Sequence, residues 1–196
     1  MSVASFGLFR SNTRLAAAVL LGSMALVTLA TPAHAQSAMT KESAATVKAS
    51  YLADIEAMRA KFVGLAGAFP QDKYSWRPMA GVRSVSEVLM LIASEGYGFA
   101  PTALGGKAAM PREESSKLSA VTDKTQVIDH LTKGFAHAKK EIEAVDPATL
   151  VGTLKVFGRD LSLTQAVLFV AGDMHEHLGQ LIAYARSNSI VPPWSK

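Results

Sequence analysis

Four times between residue 36 and the C-terminus, apolar side chains return at intervals of three and four. That is the period of one helical face. Val47, Tyr51, Ile55, Met58, Phe62 and Leu65 mark the first stretch, from about Lys41 to Phe69. Val85, Val88, Leu89, Ile92 and Phe99 mark the second, and Val127, Leu131, Phe135, Ala138 and Ile142 the third. The fourth stripe is Ala166, Val170, Asp173, Met174, His177, Leu181 and Tyr184, running to about Arg186. The boundaries are written in the same code. Ser84-Val85-Ser86-Glu87 and Ser162-Leu163-Thr164-Gln165 are capping boxes, in which the serine and the Glu or Gln three residues on satisfy each other's backbone N–H groups. Thr122 or Asp123 caps the third helix. Phe69-Pro70, Gly105-Gly106 and Asp146-Pro147 are stops.

Four long amphipathic helices must bury four stripes against one another, so the sequence predicts an all-α fold, a four-helix bundle. The connections, roughly 10–18 residues, are longer than an up-down-up-down bundle needs, which predicts at least one crossover between parallel helices. Residues 71–83 and 107–121 read as loops. Trp76, in the first of them, is expected to cover a bundle end. Residues 148–161 mix Leu, Val and Phe with Gly152 and Gly158 and suggest a short extended excursion.

The N-terminus reads differently. Arg10 and Arg14 precede an apolar run from Leu15 to Ala30, and Ala33-His34-Ala35 offers small residues where a signal peptidase reads them. Residues 1–35 are therefore expected to be a secretory signal cleaved after Ala35, leaving residues 36–196 as one domain, periplasmic or secreted. Losing the two arginines lowers the net charge from +4 to +2. No basic stripe suits nucleic acid. No second apolar run is long enough for a membrane span. The chain has no cysteine, hence no disulfide and no thiol chemistry of its own.

Chemistry concentrates in Asp173-Met174-His175-Glu176-His177. Asp173 and His177 are four apart and leave a helix on the same side. His175 is about 200° from His177 and points away. His130 and His137 stand two turns apart, roughly 10 Å along the axis, too far to share an ion. An inward-facing Asp and His need partners, since a buried polar group without one is costly. Either they bond each other in the core, or they are half of a metal site.

The wider pattern resembles the DinB-like superfamily of four-helix bundles. The likeness is carried by Ser75-Trp76-Arg77-Pro78, by Gly81 to Leu89, by Ile92-Ala93, by Gly96-Tyr97-Gly98-Phe99, by Glu176 to Leu181, by Tyr184-Ala185-Arg186 and by Ile190-Val191-Pro192-Pro193. It covers nearly all of residues 36–196 in order. The resemblance implies one metal ion, commonly zinc or nickel, held by a histidine of the second helix and two of the fourth. In this sequence those positions fall on Leu91, Asp173 and His177. Only one histidine of three is present, and leucine offers no lone pair. Glu95, one turn after Leu91 on the same side of the second helix, can replace it, unless it is simply part-exposed beside Gly96. Glu95, Asp173 and His177 together would make a carboxylate-rich site suited to iron or manganese.

Two outcomes follow for the site. It is altered, with Glu95 replacing the missing ligand, or it is lost and no metal binds. The resemblance implies a metal-dependent hydrolase or transferase. The alternatives are a non-catalytic bundle that binds a small molecule between the second and fourth helices, and a homodimer paired through its outer faces, with the tail from Ile190 to Trp194 lying across the neighbour.

Overall fold

The computed structural model describes residues 38–195, so the expected leader of residues 1–35 lies outside the described residues. Six helices and one hairpin follow in order. They are α1 (Lys41–Ala68), α2 (Val85–Tyr97), α3 (Phe99–Ala103), α4 (Arg112–Ser116), α5 (Lys124–Ala144), β1 (Leu154–Val156), β2 (Arg159–Leu161) and α6 (Leu163–Ser187). The long helices α1, α2, α5 and α6 form the bundle. Among the described residues no helix is long and apolar enough to cross a membrane.

Both expected capping boxes are made. Ser84 N–H donates to Glu87 Oε2 at 2.6 Å, and Glu87 N–H returns to Ser84 Oγ at 3.3 Å. Ser162 and Gln165 repeat the exchange at 2.9 and 3.3 Å. Asp123, rather than Thr122, caps α5 by accepting from Gln126 N–H at 2.9 Å. The caps fix where α2 and α6 begin, and hence the height of every later residue on them.

Helix directions can be read from paired residues. Lys48 Nζ donates to the Glu143 carbonyl and Lys124 Nζ to that of Gly67, so α1 and α5 are antiparallel. Arg83 meets Tyr184, and Glu95 meets Asp173, so α2 and α6 are antiparallel. Asp54 meets His175 and Gly64 meets Pro193, so α1 and α6 run the same way. Hence α2 and α5 also run the same way, and residues 98–123 are the crossover that joins them.

The α2–α5 pair is the closest of the bundle. A Cβ added at Gly96 would stand 2.6 Å from the Gly134 carbonyl carbon, and one at Gly134 would stand 2.6 Å from the Ala93 carbonyl oxygen. Glycine at both positions lets backbone lie on backbone. Around this crossing Tyr51, Ile55, Met58 and Phe62 of α1 meet Leu89 and Ile92 of α2, Leu131 and Phe135 of α5, and Val170, Met174 and Leu181 of α6 in one continuous core.

Three details depart from the periodicity. The second helix ends at Tyr97, and Gly98 turns the chain so that Phe99 opens α3. The stretch 107–121, expected as loop, contains α4 and a 3-10 turn, Lys117–Ala120. Neither buries a residue, so no apolar stripe could announce them. The centre of the α6 stripe is Met174 with Leu178 and Ala185, all buried. Leu178 shifts it away from His177, which with Asp173 sits at the edge of the stripe, half-buried, facing the cleft beside α2. The extended excursion is a tight antiparallel hairpin, with Leu154 opposite Leu161 and Val156 opposite Arg159.

Candidate metal centre

One potential ligand atom each from Glu95, Asp173 and His177 lies within 4.8 Å of the others. Ligands bound to one ion at about 2.1 Å stand roughly 3–4 Å apart, so small side-chain rotations close the set. His177 Nε2 is 3.9 Å from Asp173 Oδ2. Helix phase explains the convergence. Asp173 and His177 are one turn apart on α6, and antiparallel α2 brings Glu95, one turn beyond Leu91, to the same height.

The electrostatics of the trio are unbalanced. Glu95 Oε2 and Asp173 Oδ2 are buried, and as ionised oxygens neither has a hydrogen-bond partner. Burial pushes the Glu95 pKa up to about 9, helped by the charge of Asp173 and a hydrogen bond to it, and opposed by Arg83. At neutral pH, without a cation, Glu95 therefore keeps its proton and can donate it to Asp173. Two half-buried carboxyls this close cannot both ionise cheaply. They suit a cation, which satisfies both oxygens at once.

A chain of hydrogen bonds stands behind His177. Its Nδ1 is 3.0 Å from Gln180 Oε1, Gln180 Nε2 donates to Tyr184 Oη at 2.8 Å, and Tyr184 donates to the Arg83 carbonyl at 3.0 Å. Arg83 immediately precedes the α2 capping box, so the chain ties α6 to the start of α2. Trp76 packs edge-on against Tyr184, ring centroids 5.3 Å apart, and packs against the core.

Among the described residues, the other histidines lie elsewhere. His175 Nε2 is 3.1 Å from both carboxylate oxygens of Asp54 on α1. His130 contacts Tyr97 Oη at 3.3 Å, and His137 the Lys107 carbonyl at 2.8 Å. None of the three reaches the site. Leu91, where the resemblance expects a histidine, lines the cavities on both sides of it.

Three contributors were hidden in the sequence. Gln180 and Tyr184 lie three and seven residues after His177, on the same helical face, and that spacing is the only signal they give. Tyr51 sits within the α1 apolar stripe, yet its hydroxyl is buried without a partner. Burial raises its pKa far above the usual phenol value, with contributions from Asp54 and Glu95. Among the described residues, the three buried side-chain atoms left without partners are those of Tyr51, Glu95 and Asp173.

A cavity of about 420 Å3 adjoins the trio, lined by Glu95 and Asp173 together with Phe99, Met110, Phe157 and Phe169. A second of about 420 Å3, lined by Arg77, Arg83 and Ser119, shares Leu91, Ser94 and Ser115 with the first.

A bundle with crossed connections and a carboxylate–histidine trio between two of its helices defines a class: helical bundles with a candidate single-ion centre. The sequence model of the DinB superfamily matches residues 54–181. The chain belongs to that superfamily, which includes metal-dependent enzymes. No curated protein matches the sequence.

Proposed function

We propose that the protein is a metal-dependent enzyme, a hydrolase or transferase, whose single divalent ion is held by Glu95, Asp173 and His177. One observation carries this reading. One carboxylate oxygen each of Glu95 and Asp173 lies within 4.8 Å of an imidazole nitrogen of His177, and the buried oxygens of the two acids have no partner beyond each other. Two carboxylates and one imidazole favour a harder ion, manganese or iron, over the zinc or nickel of an all-histidine site.

Such an ion supplies Lewis-acid chemistry, polarising a substrate oxygen or lowering the pKa of water. The chain's own residues do the rest. Gln180 orients His177. Asp173 and Glu95 would hold the ion and balance its charge, Glu95 as the carboxylate with its proton released to solvent. The apolar side of the cavity, Leu91 and Met110 with the phenylalanines, keeps bulk water from the carboxylates. Arg83 offsets part of the negative charge from the α2 side. The leader motif of residues 1–35 supports action outside the cytoplasm.

Elemental analysis of the purified full chain tests the reading. About one ion per chain is expected for a mononuclear site, falling to background in Asp173→Ala and His177→Ala. Equal metal content in all three proteins, at any level, would sink it.

A further inference from the structure

We infer that Phe157, at the hairpin tip, is a ligand-contacting wall of the cavity beside the trio, and that the site takes a small neutral or anionic aromatic compound. The inference rests on the metal reading above for the polar end of that compound.

The position of Phe157 is the first reason. Val156 pairs with Arg159, so Phe157-Gly158 is the whole turn. Both residues have left-handed backbone, φ +48° and +73°. Turns of this kind favour Asn-Gly or Asp-Gly, because a bulky side chain at positive φ crowds its own backbone. A phenylalanine there works against the turn. The hairpin does not need it for burial, since Leu154, Val156 and Leu161 carry the inward face. The Phe157 ring is 64% exposed. A strained conformation kept by a residue outside the hydrophobic core points to function.

The surroundings give the function a direction. The ring stacks on Phe99, centroids 4.8 Å apart, and meets Phe169 edge-on at 6.1 Å. Phe99 and Phe169 are themselves edge-on at 5.8 Å. Three elements thus bring three rings together along one cavity, which Glu95 and Asp173, each four residues from a ring, also line. A flat apolar group fits against the rings, with a polar atom reaching the carboxylate end. The guanidinium of Arg159 lies 5.7 Å from the centre of the Phe169 ring, and Arg112 lines the same cavity. Two arginines here select against a cationic ligand.

Two hydroxamates and one substitution test this on the metal-loaded full chain. Acetohydroxamate carries a chelating head alone; benzohydroxamate adds an aromatic ring. By calorimetry, benzohydroxamate should bind about ten-fold tighter, as expected of a buried, stacked ring. In Phe157→Asn that advantage should shrink to about three-fold or less, with acetohydroxamate affinity and metal content unchanged. The Asn-Gly turn should hold Tm within about 3 °C of the parent, so lost binding is not unfolding. An equal affinity for both probes, an advantage that survives in Phe157→Asn, or a larger fall in Tm would overturn the inference. If the chain holds no metal, the metal reading fails alone, and saturation-transfer NMR with indole on the metal-free chain decides the aromatic wall. Transfer lost in Phe157→Asn supports it; transfer absent or unchanged refutes it.

Discussion

Gln180 Oε1 stands 3.0 Å from His177 Nδ1 and thereby sets which imidazole nitrogen is free. The Arg83 carbonyl can only accept, so Tyr184 donates to it. Tyr184 then accepts from Gln180 Nε2, which turns Gln180 Oε1 to the imidazole. Nδ1 must carry the proton, and Nε2 keeps its lone pair on the side of Asp173. Partners of this kind typically contribute 10–100-fold to metal affinity. Gln180→Leu is expected to weaken binding by about that factor, and Gln180→Glu, which keeps the acceptor, to recover most of it. Competition titrations against a chelator measure both. An unchanged affinity in Gln180→Leu would mean that packing alone orients His177.

Glu95 makes metal-free stability depend on pH. Its ordinary value is 4.5, and folding raises it to about 9. Between those values the folded chain holds a proton that the unfolded chain has lost. The contribution of Glu95 is therefore fullest below about pH 4.5 and is lost as pH rises towards 9, by at most about 1.4 kcal/mol per unit. Glu95→Gln keeps the shape and removes the charge. Thermal melts after chelation, from about pH 5 to pH 9, should show a falling Tm for the parent and a flatter curve for the variant. The variant should be the more stable of the two at the alkaline end and should bind no ion. Parallel curves would place the Glu95 carboxylate in water.

Much of this was legible before any coordinates. The α5 stripe from Val127 to Ile142 is buried as its period requires, and the serine boxes sit where α2 and α6 begin. Helix phase pairs Asp173 with His177, and Glu95 joins them through the superfamily resemblance, one turn beyond the ligand position at Leu91. What escaped was non-periodic or relational. The α4 segment buries nothing, so it leaves no apolar trace. Leu178 moves the centre of α6 by one residue, a difference of about 100° that a stripe drawn from alternating threes and fours does not resolve. Tyr51 looks like any aromatic core residue until its hydroxyl is found without a partner. The Phe99–Phe157–Phe169 contact joins three elements that sequence spacing alone cannot bring together.

Leu91 offers a gain-of-ligand test. It lies one turn before Glu95 on α2 and faces the cavities on either side of the trio. Leu91→His restores the histidine that the superfamily resemblance places there. A second imidazole softens the donor set, so zinc affinity should rise by about ten-fold or more relative to manganese. Paired titrations with the two ions read the change. A zinc-to-manganese ratio like that of the parent would show that position 91 does not reach the ion.

Gly134 tests whether the site depends on the α2–α5 contact behind it. A Cβ there meets the Ala93 carbonyl oxygen at 2.6 Å, and that oxygen belongs to the α2 backbone, so no rotamer change relieves the clash. The two helices must part. Overpacking of this kind costs about 1–3 kcal/mol, and a backbone clash belongs at the upper end. The gain from replacing a helical glycine is only about 1 kcal/mol. Gly134→Ala should therefore lower Tm, by roughly 2–4 °C for each kcal/mol of net loss. Because the displaced segment includes Glu95, metal affinity should fall with it. Gly179→Ala is the control. It lies on the exposed side of α6, with nothing within 4 Å of the added Cβ, so the same change should leave metal binding alone and raise Tm slightly. Thermal melts and metal titrations on the two variants separate the cases, and equal behaviour would remove the close crossing as a support of the site.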